Sequence, residues 1–285
     1  MPELRAIDKE LLYNAFMEAF SDYQMDASGT TEEHLLLRME KNAVDYEASV
    51  GAYSDGHLVG FTMIGIDTIC GVRTAFDAGT GIIPGFRKQG LAKQMFDHAL
   101  PGLRDLGVTR FLLEVLHGNN PAIKAYTKSG FEIVRELRCY AAEPDSLRDL
   151  PETRGLQIES IGTDVYGKLV ADADWTPSFE NRFTAIDVIP EHVSLFGAFD
   201  GETCIGTLAY APALNWLLTL VVGEGHRMRG GGRALIRHLA RTLPALAKRL
   251  VAINVDGSDD GMQAFFQSIG FTHLVDQYEM ARAIV

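Results

Sequence analysis

Arg87-Lys88-Gln89-Gly90-Leu91-Ala92 follows the short apolar run Gly81-Ile82-Ile83-Pro84 and opens a helical pattern. A helix's first N–H groups have no partner inside it and carry partial positive charge. A phosphate placed there receives several hydrogen bonds at once. Close approach requires that no side chain intervene, which gives Gly90 and Ala92 their importance. Arg87 is expected to add a fixed cation at the mouth. The stretch therefore reads as a loop whose amides receive a diphosphate.

The stretch has a copy. Arg227-Met228-Arg229-Gly230-Gly231-Gly232 stands 140 residues on and reads as a second diphosphate loop, with Arg227, Gly230 and Gly232 as its candidate binding residues. Met95, Ala99, Leu103 and Leu106 map onto Leu235, Leu239, Leu243 and Leu246 at that offset, as do Val115, Gly130 and Phe131 onto Val255, Gly270 and Phe271. A second block, Gly51-Ala52-Tyr53 with Val59-Gly60, returns as Gly197-Ala198-Phe199 with Ile205-Gly206 at offset 146. Two blocks separated by one small length change indicate duplication. The boundary is expected within 142–155, where Glu143-Pro144-Asp145 and Leu150-Pro151 interrupt periodicity, giving domains 1–145 and 152–285.

A chain of 285 residues suits two domains. Hydrophobic residues make up 47% and charged residues 22%, enough for a core in each half. The net charge of −12 argues against nucleic acid and anionic membranes and favours an amine-bearing substrate, although acidity also keeps a protein soluble. Cys70, Cys139 and Cys204 are odd in number and lack a CxxC pair, which fits a reducing compartment. The charged N-terminus has no apolar signal core, and no apolar run approaches the length of a membrane span. A cytoplasmic location is expected. The histidines show no metal-ligand spacing.

Apolar spacing predicts a helix over 8–23 and another from Thr31 to about Lys41. Ser49–Tyr53 and Leu58–Ile66 read as strands joined at Asp55-Gly56, a tight-hairpin signal. Arg73–Ile83 is a further strand leading into the loop. Leu91–Leu106 is the helix after it, with Pro101-Gly102 a candidate kink or end. Phe111–Leu116 is a buried strand. Asn119 or Asn120 can cap the next helix, which stops at Gly130, and Phe131–Tyr140 is the last strand of the first copy. Strands and helices alternate after an initial hairpin, so the class is α/β or α+β. The region 166–181 has no clear period.

Walker and dinucleotide loops fit poorly. Gly90-Leu91 and Gly232-Arg233 lack the Gly-Lys-Ser/Thr of the first. Gly79-Thr80-Gly81 and Gly223-Glu224-Gly225 continue to Pro84 and Met228 where the second wants Gly or Ala. Arg87-x-x-Gly90-x-Ala92 after Ile82-x-Pro84 instead resembles the acetyl-CoA signature of the GNAT N-acetyltransferases. Leu113-Glu114-Val115, Asn120, Ala122, Tyr126 and Gly130-Phe131 resemble that family's next strand and helix. The resemblance covers most of 50–140 and recurs, weaker, over about 195–280, as in a tandem member. It implies two domains, each a mixed, mainly antiparallel sheet flanked by helices.

It also implies acetyl-CoA as cofactor and direct acetyl transfer to an amine, small or peptidic, in a monomer or homodimer. Lys88, Gln89 and Leu91 join Arg87, Gly90 and Ala92 in the diphosphate loop. Ile82 and Ile83 would offer backbone groups to the pantetheine arm where strands splay, and one N–H there could polarise the thioester oxygen. Asn120 would bond the same arm. Tyr126 falls where the family places the acid that protonates the departing thiolate, although a core aromatic is the competing reading. Glu114 is the candidate base through water, with Asp77 and then His117 behind it.

The second copy departs from this pattern. Phe266 replaces Tyr126, Glu224 replaces Pro84 and Asp260 replaces Asn120. It is expected to be degenerate in chemistry while serving packing or substrate selection. A binding protein that senses CoA or a metabolite without turnover is the alternative to an enzyme.

Overall fold

The computed structural model describes residues 2–22, 29–244 and 249–284. Tyr23 and Leu246, which the sequence places in a helix and in the repeat, lie outside them. The chain divides into two compact units, Met1–Arg135 with Tyr278–Val285, and Glu136–Gln277.

The first unit contains β1 (Glu3–Ala6), α1 (Lys9–Ala19), α2 (Glu32–Lys41), β2 (Val50–Ser54), β3 (His57–Ile69), β4 (Val72–Ile82), α3 (Leu91–Asp105), β5 (Arg110–Leu116) and α4 (Asn120–Lys128). The chain continues through β6 (Glu132–Ala142), α5 (Pro144–Arg148), β7 (Leu156–Ser160), α6 (Thr163–Ala171), α7 (Ala185–Val188), β8 (Ser194–Asp200), β9 (Thr203–Ala211) and β10 (Trp216–Val222). It ends with α8 (Gly231–Thr242), β11 (Leu250–Asp256), α9 (Asp260–Ser268) and β12 (Thr272–Ala283).

Local chemistry explains most boundaries. Asp8 caps α1 by accepting from the Glu10 N–H, and Thr31 caps α2 through His34. Asp55 and Gly56 both take positive φ, as a two-residue hairpin turn requires, and Cys70-Gly71 repeats this between β3 and β4. Pro101 lies inside α3 without ending it. Gly130 has the left-handed φ expected just past α4. Of the α3 stripe, Met95, Phe96, Ala99 and Leu103 are buried, whereas Leu106 is exposed because the helix stops before it.

In the first unit the strand order is β1-β2-β3-β4-β5 followed by the end of β12. Neighbours from β1 to β4 are antiparallel, and β4 runs parallel to β5. The core packs α3 on this sheet, and Met280 and Ile284 from the chain's end belong to it. The second unit orders its strands β6-β11-β10-β9-β8-β7, and Tyr140 and Ala142 of β6 sit in its core. The division at 142–155 therefore shifts. β6 carries its apolar residues into the second unit, and the last residues of β12 carry theirs into the first. Burying Met280 and Ile284 removes apolar surface worth roughly 2 kcal/mol per side chain, which holds the tail in place.

Candidate active site

β4 and β5 share register only at Thr74↔Arg110, Ala75↔Phe111 and Phe76↔Leu112. β4 continues to Ile82 and β5 to Leu116, so an opening forms between them. A register shift against β3 puts a bulge at Ala78, between Asp77 and Gly79. The opening, the bulge and the Gly90 loop all lie at one end of the first unit's sheet.

Asp77 is buried, and its carboxylate accepts from the Gly79 N–H (3.0 Å), the Thr80 hydroxyl (2.9 Å) and the Tyr126 phenol (3.3 Å). Thr80 lies 3.1 Å from the Thr62 hydroxyl, extending the network to β3. Burial pushes the Asp77 carboxyl up to about 6, against the opposing pull of Thr80, Gly79, Tyr126 and Arg38. A carboxyl raised on folding binds a proton that the unfolded chain has released. Its contribution is complete below 3.8 and is lost as pH rises through about 6. Wild type is thus expected to lose on the order of 3 kcal/mol relative to Asp77→Asn between those limits. Urea unfolding of both proteins at the two ends of that window checks this, and parallel curves would refute it.

Tyr126 projects from α4, its ring in edge-on contact with Phe96 and Phe131 at 5.9 Å each. It is both a core aromatic and the Asp77 partner, so the two readings of its sequence position are compatible. Phe111, Leu113 and Val115 of β5 belong to the core cluster that Tyr126 packs on. By alternation Glu114, half-buried, faces the other side of the sheet. His117, just past β5, stacks on Tyr278 with centroids 3.8 Å apart.

The loop is open. Among the described residues the N–H groups of Lys88, Gln89, Gly90, Leu91, Ala92 and Lys93 have no intramolecular acceptor. Lys88 and Gly90 take φ of 64° and 74°, which turns successive amides toward one concavity. A Cβ on Gly90 would meet only the Gln94 Nε2, at 3.9 Å. Lys88, Gln89 and Gly90 are exposed, Leu91 is core and Ala92 is half-buried.

Two expectations change and one open choice is decided. Arg87 is no open cation. Its guanidinium forms a two-bonded pair with Asp22 (2.7 Å each) and donates to the carbonyls of Ile82 (3.0 Å) and Ala19 (2.9 Å). Arg227 repeats this with Asp174 and the Val222 carbonyl. Both arginines clamp the loop to its own unit, and neither Asp22 nor Asp174 could be paired with them from sequence. The Ile83 N–H is spent on the Val59 carbonyl (3.1 Å), so it cannot polarise an oxygen. Ile82, one residue out of phase, turns its N–H to the side that β5 has left. Asn119, not Asn120, caps α4 through the Ala122 N–H, which leaves the Asn120 side chain exposed.

The second unit keeps the loop but crowds two of its glycines. Thr153 lies against Gly230, its atoms 2.8–2.9 Å from where a Cβ would stand, and the Phe265 ring lies 3.2 Å from that of Gly232. Glu224 and Asp259, with Asp174, all act on the Arg227 charge. Phe266 is buried.

A model of the acetyltransferase (GNAT) family matches residues 9–131 and again 160–271. The chain belongs to this family, as a tandem member. No curated relative matches it by sequence. Among solved structures, the GCN5-related N-acetyltransferase from Sphaerobacter thermophilus superposes with TM-score 0.74 at 16% identity, covering 99% of this chain and 95% of that one. A tandem GNAT protein from the clavulanic acid biosynthesis pathway gives 0.73 at 16%, covering 100% and 99%. The GCN5-related N-acetyltransferase from Kribbella flavida gives 0.60 at 16%, covering 99% and 71%. At such identities the likeness concerns the fold. Members of the GNAT family use acetyl-CoA as cosubstrate and act on amine-bearing acceptors. Among the described residues no helix is long and apolar enough to cross a membrane.

Proposed function

We propose that the first unit transfers an acetyl group from acetyl-CoA to an amine, as a cytoplasmic enzyme whose second unit does not turn over. The observation that carries this reading is the Tyr126 phenol, held by Asp77 beside the strand opening next to a run of unpaired amides. Acetyl-CoA supplies an acetyl group activated as a thioester. The amides of 88–93 would receive its diphosphate, and Ile82 N–H and the Asn120 side chain would orient the arm. Tyr126 gives its proton to sulfur as the carbon–sulfur bond breaks, and Asp77 fixes the phenol for that transfer. Glu114, on the opposite face, takes the amine's proton through water. Acid and base then act from two sides of the opening.

Thiol release from acetyl-CoA over a panel of small amines and peptide N-termini tests the assignment. Release with at least one acceptor supports it. Binding of acetyl-CoA without release from any acceptor would favour a sensor, and absence of binding would refute both. Replacing the pair together, Arg87→Ala with Asp22→Asn, is expected to weaken acetyl-CoA binding severalfold by loosening the loop, without changing how binding depends on salt, since the pair carries no net charge. A flattened salt dependence would place Arg87 on the phosphates instead.

A further inference from the structure

The second unit has an opening between its own strands. β10 and β11 share register only at Trp216↔Val251 and Leu217↔Ala252. A bulge in each strand, at Leu218 and at Ile253-Asn254, marks where they part. Between them lies a cavity of about 60 Å³ whose lining includes Trp175, Asn181, Thr219, Asp256, Asp259 and Phe266. A water needs about 10–15 Å³ on that measure, so the space admits a few heavy atoms.

The lining carries a buried acceptor and two carboxylates. Asn181 is 6% exposed, and its Nδ2 donates to the Ile253 carbonyl at 2.6 Å. That bond fixes the amide's orientation and leaves Oδ1 buried with no partner among the described residues. An unmet buried acceptor costs about 1–3 kcal/mol, so a ligand that donates there recovers it. The Thr219 hydroxyl is engaged with the Tyr166 phenol at 2.9 Å. Two half-buried carboxylates, Asp256 and Asp259, share the lining with the rings of Trp175 and Phe266. Acceptors and negative charge beside aromatic faces suit a cation that donates hydrogen bonds and carries a short hydrocarbon body.

We propose that this cleft binds a small protonated primary amine, its ammonium donating to Asn181 Oδ1 and its hydrocarbon part lying between Trp175 and Phe266. The proposal does not rest on acetyl transfer by the first unit. The chain's two tryptophans are Trp175 and Trp216, both in the second unit, so tryptophan fluorescence reports on this unit alone.

Titration of the full chain with n-propylammonium chloride is expected to give a saturable fluorescence change, and n-propanol none over the same range. Asn181→Leu should raise the midpoint about tenfold, the equivalent of one hydrogen bond to a charged donor. Asp259→Asn keeps the cap of α9, since asparagine also caps, yet removes a charge and should raise the midpoint about threefold. It decides the matter if Asn181→Leu does not fold. The proposal is overturned if n-propanol matches the ammonium, if Asp259→Asn and any folded Asn181→Leu leave the midpoint in place, or if acetyl-CoA competes for the same change. Thiol release is read separately, so loss of acetyl transfer leaves this result standing, and the reverse.

Discussion

Tyr126→Phe is expected to bind acetyl-CoA as wild type does and to lose roughly a hundredfold or more in kcat with any acceptor that wild type acetylates. The phenyl ring keeps its contacts with Phe96 and Phe131, so α4 stays on the core and the loop stays shaped. Only the hydroxyl is lost, and with it the bond to Asp77 and, in the proposed mechanism, the proton given to the thiolate. The loss belongs to kcat rather than to KM for acetyl-CoA, because the hydroxyl acts on sulfur only as the bond breaks. Equilibrium binding and single-turnover rates separate the two. A rate within about twofold of wild type would remove Tyr126 as the acid and leave it a core aromatic.

The second unit has carried out this substitution already. Phe266 is buried in the position of Tyr126, against Tyr140 and Phe271. The same unit sets Thr153 against Gly230 and Phe265 against Gly232. The Phe266 exchange is visible in the repeat, whereas the Thr153 and Phe265 contacts appear only in the structure.

What could be read from the residues was local. The Gly90 loop, the helix after it, the hairpin at Asp55-Gly56 and the Gly130 stop each depend on neighbours within a few positions. So did the duplication, because it compares the chain with itself. Contacts between distant positions were not legible. Asp22 and Arg87 are 65 residues apart, and Asp174 and Arg227 are 53 apart, so no short-range pattern pairs them. Asp77 could be listed as an acid, but its tie to Tyr126 depends on the bulge at Ala78 and on which face α4 covers. The tail's place in the first unit was hidden for a related reason: one apolar strand does not say which sheet it completes. The buried run Ser178 to Arg182 has no period, and its Asn181 entered no motif.

Gly90→Glu is expected to abolish acetyl-CoA binding within any practical concentration range while the protein remains folded. Gly90 has φ of 74°, where a Cβ costs about 1 kcal/mol. Its surroundings are empty, so bulk alone disturbs nothing inside the unit. Charge adds the larger share. A carboxylate about 5 Å from a doubly charged diphosphate, at an effective dielectric of about 40, opposes it by about 3 kcal/mol, a factor of roughly a hundred. Gly90→Ala carries the backbone strain without the charge and should cost only about fivefold. The pair of variants therefore separates conformation from electrostatics, with thermal melting as the check on folding. Equal losses in the two would mean that the shape of the loop, and not anion binding, is what Gly90 protects. Retained binding in Gly90→Glu would place the diphosphate elsewhere, because six unpaired amides around that carboxylate could not then be its cradle.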